Sequence, residues 1–173
     1  MKKYRLSRTF FARPTLLVAK ELLGKFLVRK IDNKKVAVMI TEVEAYCGER
    51  DLASHARFGP TPRSKIMWGL AGRAYVYMIY GMYFCLNVVT EKNRKAGAVL
   101  IRGVQGVNGP GKLCRKFKID KKFNGEDVVK SKKLWIEDRG LKIGPGQIKR
   151  LPRVGIDYAG KYKDKLWRFV LSR

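Results

Sequence analysis

The stretch from Val36 to His55 reads VAVMITEVEAYCGERDLASH, and the rest of the chain is organised around it. Its first residues alternate β-branched with other side chains, which is typical of a strand on a pleated surface. Because side chains alternate along a strand, Glu42, Glu44 and Tyr46 are expected on one face. A carboxylate at the end of an apolar strand is poorly solvated, so its pKa can shift. His55, the only histidine, follows nine residues after Tyr46.

This stretch has two interpretations. In the first, a strand leaves the core, its acids are exposed and the following loop is solvated. In the second, the strand end presents a carboxylate and an aromatic ring, and the loop brings an imidazole towards them. Such a combination of titratable groups is common at functional sites, so the stretch indicates a candidate site without deciding its chemistry.

Composition narrows the possible partners. The 173 residues fit one domain that spans residues 1–173 and can bury a real core, and a hydrophobic content of 46% argues against global disorder. The chain carries 39 Lys and Arg against 14 Asp and Glu, a net charge of +25. A surface this positive needs a polyanion, so we expect nucleic acid as the partner, with an anionic membrane surface as the second choice.

The cysteines and the apolar segments exclude several other classes. Cys47, Cys85 and Cys114 form no C-x-x-C pair, and with a single histidine the sequence predicts neither a metal site nor a cofactor. An odd number of distant cysteines favours the reducing cytoplasm, and no signal peptide is predicted. The uncharged segment from Ala74 to Thr90 is too short to span a membrane and contains four tyrosines. Nothing resembles an oligomer interface, so we expect a monomer.

Periodicity predicts an α+β domain with a mostly antiparallel sheet. An apolar stripe at helical spacing predicts a helix over Pro14–Leu23, and a second helix is predicted over Leu113–Phe117. Loops are expected over residues 49–70 and 118–133, with a brief connector over Val104–Asn108. Strands are predicted over Phe26–Ile31, from Val36 onwards, on both sides of Gly81, and over Ala98–Arg102, Leu134–Glu137, Arg153–Tyr158 and Leu166–Leu171.

The predicted hairpin around Gly81 has an unusual tip. The tip residues Tyr80–Tyr83 are largely aromatic or apolar, whereas exposed tips are normally polar. Large exposed apolar groups usually contact a partner, and apolar wedges can push into a base stack. Enzymes that act on a base extrude it and hold it between flat side chains. Tyr46, His55 and Tyr77 are candidates for these side chains, and a nearby carboxylate could activate water.

A glycine-rich run provides a second candidate contact. Gly109-Pro110-Gly111-Lys112 opens the second predicted helix. Free backbone N–H groups at a helix start can bind an anion, and Lys112 adds positive charge. The alternative interpretation is a simple helix cap.

The sequence resembles the alkyladenine (3-methyladenine) DNA glycosylase family over residues 6–169. Each matching run is weak alone, but their order and the long central run are highly specific. This resemblance implies one domain with a curved antiparallel sheet, flanking helices and a protruding β-hairpin. The matching runs are ARPTLLVAKELLGK, ITEVEAY, SHAR, TPR, AYVYMIYGMYFCLNVV, VLIR, GPGKLC, and RVGI followed by WRF.

The resemblance also implies residue roles. Glu44 would be the general base that activates the attacking water, Arg102 would lie near that water and the target phosphate, and the Val154 backbone would hold the water. The base would be enclosed by Tyr46, His55 and Tyr77, with Asn87 crowding the 2-amino group of guanine. Tyr80 would intercalate, with Met82 and Tyr83 beside it, and the DNA backbone would be contacted by Arg57, Arg63, Gly111 and Lys112.

The implied reaction is hydrolytic removal of alkylated or deaminated purines from double-stranded DNA, which leaves an abasic site. The candidate substrates are 3-methyladenine, 7-methylguanine, hypoxanthine and ethenoadenine. Cleavage of an N-glycosidic bond builds positive charge on the sugar, which an anionic Glu44 could stabilise while it accepts a proton. His55 is one candidate for a general acid and equally a candidate for a structural role. No lysine has a motif that marks it as a Schiff-base nucleophile, so strand cleavage is not expected.

Two other functions are compatible with the charge. A non-catalytic nucleic-acid binding module on the same fold would also use a basic surface and an aromatic wedge. It would not need Glu44, Arg102 and Asn87 around one pocket. A ribosomal type of RNA-binding protein would be favoured by exposed loops without a base pocket.

Overall fold

Strand β3 (Lys34–Tyr46) lies at the centre of the fold. Its first half pairs antiparallel with β2 (Phe26–Ile31), and its second half pairs antiparallel with β6 (Ala98–Val104). The register shifts between Ile40 and Val43, as in a β-bulge, and bulges of this kind bend a strand. The stretch around which the sequence is organised therefore also organises the sheet.

The computed structural model describes residues 4–92 and 95–172, and its strands form one curled antiparallel sheet. This architecture confirms the predicted α+β class, with a curved sheet, flanking helices and a protruding hairpin. The strand order is β1 (Tyr4–Arg5), β8 (Leu134–Asp138), β2, β3, β6, β5 (Tyr83–Val89) and β4 (Ala74–Ile79). Off this path, β7 (Val107–Asn108) pairs with β6, and β10 (Arg168–Leu171) pairs with β3 and β9 (Ile148–Leu151).

Short helices cover the sheet and close the core. The α-helices are α1 (Arg8–Phe11), α2 (Thr15–Leu22) and α3 (Pro110–Lys116). The main core contains fully buried side chains from both helices and strands, such as Leu22, Ile101, Leu113 and Phe169. The 3₁₀ helices span His55–Phe58, Lys65–Trp68, Lys121–Phe123, Pro145–Gln147 and Asp157–Tyr162.

Helix α2 lies within one residue of its predicted bounds, and its start is capped from a distance. The Glu91 carboxylate accepts hydrogen bonds from the Thr15 backbone N–H at 2.7 Å and from the Thr15 hydroxyl at 2.8 Å. A carboxylate at this end satisfies a free N–H group and opposes the positive end of the helix dipole. This contact gives the ARPT run a structural reason.

The hairpin of β4 and β5 has the tip that the sequence predicts. Tyr80 and Gly81 both have positive φ, 50° and 67°, as the two central residues of a type I′ turn require. Glycine adopts this conformation readily, whereas tyrosine rarely does, so Tyr80 is held in a strained position. The Tyr80 side chain is 83% exposed at the end of the hairpin.

Two predicted elements are wrong. The strand predicted over Arg153–Tyr158 is a loop that runs into the last 3₁₀ helix, because Gly155 has a φ of 73° and the Arg153 side chain is buried. The strand that pairs there is β9, just upstream. The connector predicted over Val104–Asn108 is the tight turn of the β6–β7 hairpin, with Gly103 opposite Asn108.

The polar segment over residues 118–133 is also more structured than the sequence predicts, since Ile119, Phe123 and Val128 are buried beneath its lysines. Within the described part of the chain, no helix has the length and apolar character needed to cross a membrane.

Candidate functional site

A cavity of about 460 Å³ opens beside the hairpin, between the ends of β3 to β6 and the first turn of α3. It brings together most of the residues that the sequence analysis singled out. Residues from seven separate segments meet there, so the cavity exists only because of the fold. The predicted residues that line it are Glu44, Tyr46, His55, Tyr77, Tyr80, Tyr83, Asn87, Arg102, Gly111, Lys112 and Val154.

Glu44 is a fully buried carboxylate in the wall of this cavity. The Val154 backbone N–H donates to its Oε1 at 2.9 Å, and the Tyr46 hydroxyl donates to its Oε2 at 2.9 Å. Burial raises the pKa of the Glu44 carboxyl, and the Arg102 guanidinium, 3.7 Å from Oε1, opposes that shift. The result is an oriented carboxylate with a greater affinity for a proton than an exposed glutamate has.

Glu42 lies on the same face of β3, as the alternation predicts. Its Oε1 is 3.0 Å from Arg102 Nε and 3.0 Å from Arg168 Nη1. Glu42 therefore binds the far edge of the guanidinium whose near edge faces Glu44. This contact gives Glu42 the structural role of holding Arg102 in place.

One wall of the cavity is aromatic. The His55 and Tyr77 rings are 4.7 Å apart and the Tyr75 and Tyr77 rings are 5.1 Å apart, measured between centroids. Tyr75 is buried, as expected of a core residue, but it also lines the cavity. Its hydroxyl lies 2.8 Å from His55 Nδ1. These contacts fix the His55 ring against the wall.

Burial, together with the positive charges of Arg63 and Arg57, lowers the pKa of His55 to about 4. The imidazole is therefore neutral at pH 7. A neutral imidazole can hydrogen-bond a base, but it holds no proton of the kind that a general acid donates.

The opposite aromatic residue, Tyr46, is held from behind by a guanidinium that the sequence analysis missed. Arg153 lies 4.8 Å from the centroid of the Tyr46 ring and 5.0 Å from that of Trp167. Its Nη1 and Nη2 bind the Asp51 carboxylate at 2.6 and 2.9 Å, and both side chains are fully buried. In the sequence Asp51 and Arg153 are isolated charges 102 residues apart, so no local pattern marks them as a pair.

The Asp51–Arg153 pair joins the two loops that supply the cavity. Asp51 also accepts hydrogen bonds from the backbone N–H groups of Cys47 and Ala53, at 3.0 and 3.1 Å. Arg153 immediately precedes Val154, which holds Glu44. The ion pair therefore fixes the loop after β3 to the loop that orients the buried carboxylate.

The hairpin residues divide into exposed and packed members. Tyr80 and Met82 project from the tip, and Met82 is 65% exposed. Tyr83 instead packs on the first turn of α3: a Cβ added to Gly111 would lie only 2.9 Å from Tyr83 Cδ1. A side chain at Gly111 would thus displace the hairpin, which gives this glycine a packing role.

Asn87 occupies the floor of the cavity. It is buried, and its side-chain Nδ2 donates to the Tyr75 carbonyl at 3.1 Å. A held amide at this position limits what group a ligand can present to the floor.

Two predicted arginines have protein partners beside the cavity. The Arg57 guanidinium lies between the rings of Phe58 and Tyr158, at 4.3 and 4.7 Å from their centroids, and bonds the Leu52 carbonyl. Arg63 lies 4.9 Å from the centroid of the Tyr77 ring and donates from Nη2 to the Met78 carbonyl at 3.1 Å. Tyr158 is an exposed aromatic in the cavity wall that the sequence analysis placed in a strand.

Other kinds of chemistry find little support among the described residues. No group of three or more His, Cys, Asp or Glu side chains is arranged to hold a metal ion in residues 4–92 and 95–172. The three cysteines are free, and burial raises the pKa of Cys47, Cys85 and Cys114 to about 12, 11 and 12. These thiols are therefore protonated at neutral pH and are not poised as nucleophiles.

Comparison with known proteins gives one consistent result. A sequence model of the family described as "Methylpurine-DNA glycosylase (MPG)" matches residues 9–173. Proteins named "Putative 3-methyladenine DNA glycosylase" match nearly the whole chain. The one from Methanocella arvoryzae is 45% identical over 186 residues, which cover 95% of this chain and 90% of that protein.

Two further relatives with the same name match to a similar extent. The protein of Legionella pneumophila strain Lens is 45% identical over 177 residues, covering 97% of this chain and 94% of its own. The protein of Desulfitobacterium hafniense strain Y51 is 42% identical over 196 residues, covering 97% and 95%.

Proposed function

This chain belongs to the methylpurine-DNA glycosylase family of DNA-repair hydrolases, and we propose that it extrudes a damaged purine from duplex DNA and removes it with water activated by Glu44. The observation that carries the proposal is the oriented, buried Glu44 carboxylate in a cavity walled by aromatic rings. A purine needs flat apolar walls, and hydrolysis of its glycosidic bond needs a base beside the sugar.

Extrusion would begin at the hairpin. Tyr80, the exposed and conformationally strained residue of the tip, enters the base stack and fills the space that the damaged nucleotide leaves, with Met82 beside it. Tyr83 and Gly111 hold the hairpin at the mouth of the cavity.

The extruded base would lie between Tyr46 on one side and His55 and Tyr77 on the other. Asn87 crowds the 2-amino group of guanine and so disfavours normal guanine. Bases alkylated at N3 or N7 are cationic, and stacking on tyrosine adds a cation–π attraction of about 0.5–2 kcal/mol. The substrates would be 3-methyladenine, 7-methylguanine, hypoxanthine and ethenoadenine.

Bond cleavage would follow at the sugar. Glu44 accepts a proton from the attacking water, and the backbone of Val154 helps to hold that water. The anionic carboxylate also stabilises positive charge on the sugar as the bond breaks. Arg102 keeps a share of Glu44 ionised despite its burial, and it lies near the phosphate of the target nucleotide.

Cationic lesions leave without protonation, whereas neutral lesions need help at the leaving group. Because the pKa of His55 is lowered to about 4, His55 would act on neutral bases by hydrogen bonding and not by donating a proton. The enzyme would be monofunctional: among the described lysines, only Lys112 lines the cavity, and it is exposed. We assign the DNA backbone to Lys112, Gly111, Arg57 and Arg63, and propose a monomer that acts in the cytoplasm.

The proposal is tested with duplexes that carry one hypoxanthine, ethenoadenine or methylated purine. The expected products are a free base and an abasic strand that alkali cleaves afterwards. A protein–DNA adduct trapped by borohydride would contradict the water mechanism. Tight binding without release of any base would instead favour a non-catalytic binding module.

A further inference from the structure

A second groove, of about 270 Å³, lies on the other face of the hairpin. Alternation along β5 separates the two sites: Cys85 and Asn87 line the base cavity, whereas Met82 and Phe84 line the groove. Tyr83 borders both. The wedge that enters the DNA therefore has a face turned away from the base cavity, and the groove follows that face.

The groove is bordered by cations that have little to neutralise them. Arg115, on α3, is exposed and makes no ion pair with any carboxylate in the described part of the chain. Lys118 lies 3.1 Å from Asp32, but 65% and 82% of these side chains are exposed, so the attraction is weak. Asp120, the acid that lines the groove, already accepts a hydrogen bond from the Lys122 N–H at 2.8 Å.

These cations continue a row that starts at the base cavity. Lys112 lines the cavity, Arg115 borders both sites and Lys118 lines the groove. Lys112 and Arg115 are three residues apart in α3, so they lie on one side of the helix. The row thus leads from the mouth of the cavity past Tyr83 to the far face of the hairpin.

We propose that Arg115 and Lys118 bind phosphates of the undamaged strand, the one opposite the extruded base. This inference rests on the proposed function. The damaged strand must enter the base cavity, where Glu44 and Arg102 lie, while the hairpin fills the gap between the strands. The undamaged strand then faces the side of the hairpin that carries the groove, and guanidinium and ammonium groups suit its phosphates.

The test measures DNA binding as a function of salt for the full chain, with Arg115→Gln and Lys118→Gln combined. Each lost phosphate contact lowers the salt slope by about 0.9, so two lost contacts narrow the affinity gap between wild type and variant by about 12-fold between 50 and 200 mM salt. Lys116→Gln is the matched control, because this exposed lysine of α3 lines neither site. It should change the slope by less than half as much.

Uncharged methylphosphonate linkages identify the strand. With the undamaged strand neutralised opposite the lesion, wild type and double variant should bind equally. With the damaged strand neutralised instead, the gap should persist. The reverse pattern, or a gap that persists on both duplexes, would overturn the proposal. Base release by wild type is scored separately: release without a strand-specific gap refutes this inference alone, whereas a gap without release refutes only the proposed catalysis.

Discussion

Replacing Asp51 with asparagine tests how far the cavity depends on the buried Asp51–Arg153 pair. The substitution keeps the size of the side chain but leaves the buried Arg153 guanidinium without its counter-charge. Breaking a buried ion pair from one side costs about 3–5 kcal/mol in the free energy of unfolding. For a chain of this length each kcal/mol lowers Tm by about 2–4 °C, so Tm should fall by roughly 6–20 °C.

Thermal unfolding followed by circular dichroism measures this effect. Asp164→Asn is the control, because Asp164 is exposed and the change should leave Tm within about 2 °C. Combining Asp51→Asn with Arg153→Met should cost less than the sum of the two single changes, since removing both charges relieves the unpaired one. A loss below about 1 kcal/mol for Asp51→Asn, or an additive double variant, would refute the reasoning.

The same variant has a catalytic consequence at temperatures where it is folded. A looser loop weakens the Val154 N–H bond that favours ionised Glu44, so the pKa of Glu44 should rise further. The acid limb of the pH–rate profile should then move to higher pH. An unchanged limb would mean that the pair supports the fold without orienting Glu44.

Three further predictions concern single positions. Because burial raises the pKa of Glu44, the folded protein favours the protonated acid, and stability from this group is lost as pH rises through its pKa; Glu44→Gln should raise Tm at pH 7, with the gain vanishing below pH 4 in thermal scans. The single imidazole of His55 should titrate by NMR with a midpoint near 4, and its stability contribution should be lost as pH falls from 6.5 towards that value; a midpoint near 6.5 would contradict its burial. Gly111→Ala should weaken lesion binding by pushing Tyr83 aside, whereas Gly146→Ala, where a Cβ meets nothing within 4 Å, should leave binding unchanged in anisotropy titrations.

Much of this arrangement could be predicted from local patterns. Alternation around Glu44 placed the carboxylate and Tyr46 on one face, and the Tyr46 hydroxyl does bind Glu44. The hairpin was equally legible, because Gly81 sits between two runs of period two. These features depend on neighbouring residues, which the sequence shows directly.

The remaining features depend on contacts between distant segments. Arg153 was read as part of a strand because its role comes from Asp51, 102 residues away. The neutral state of His55 depends on burial and on two arginines, and no spacing rule reports either. The row that includes Arg115 and Lys118 acquires meaning only once the hairpin is seen to have a second face.

The most direct test of the central claim is single-turnover base release by wild type and by Glu44→Gln on one duplex containing ethenoadenine. Glu49→Gln, an exposed glutamate in the following loop, serves as the matched control. We predict release by wild type and by the Glu49 variant, and none by the Glu44 variant, although all three bind the duplex. Release by Glu44→Gln at the wild-type rate would contradict the assignment of the general base.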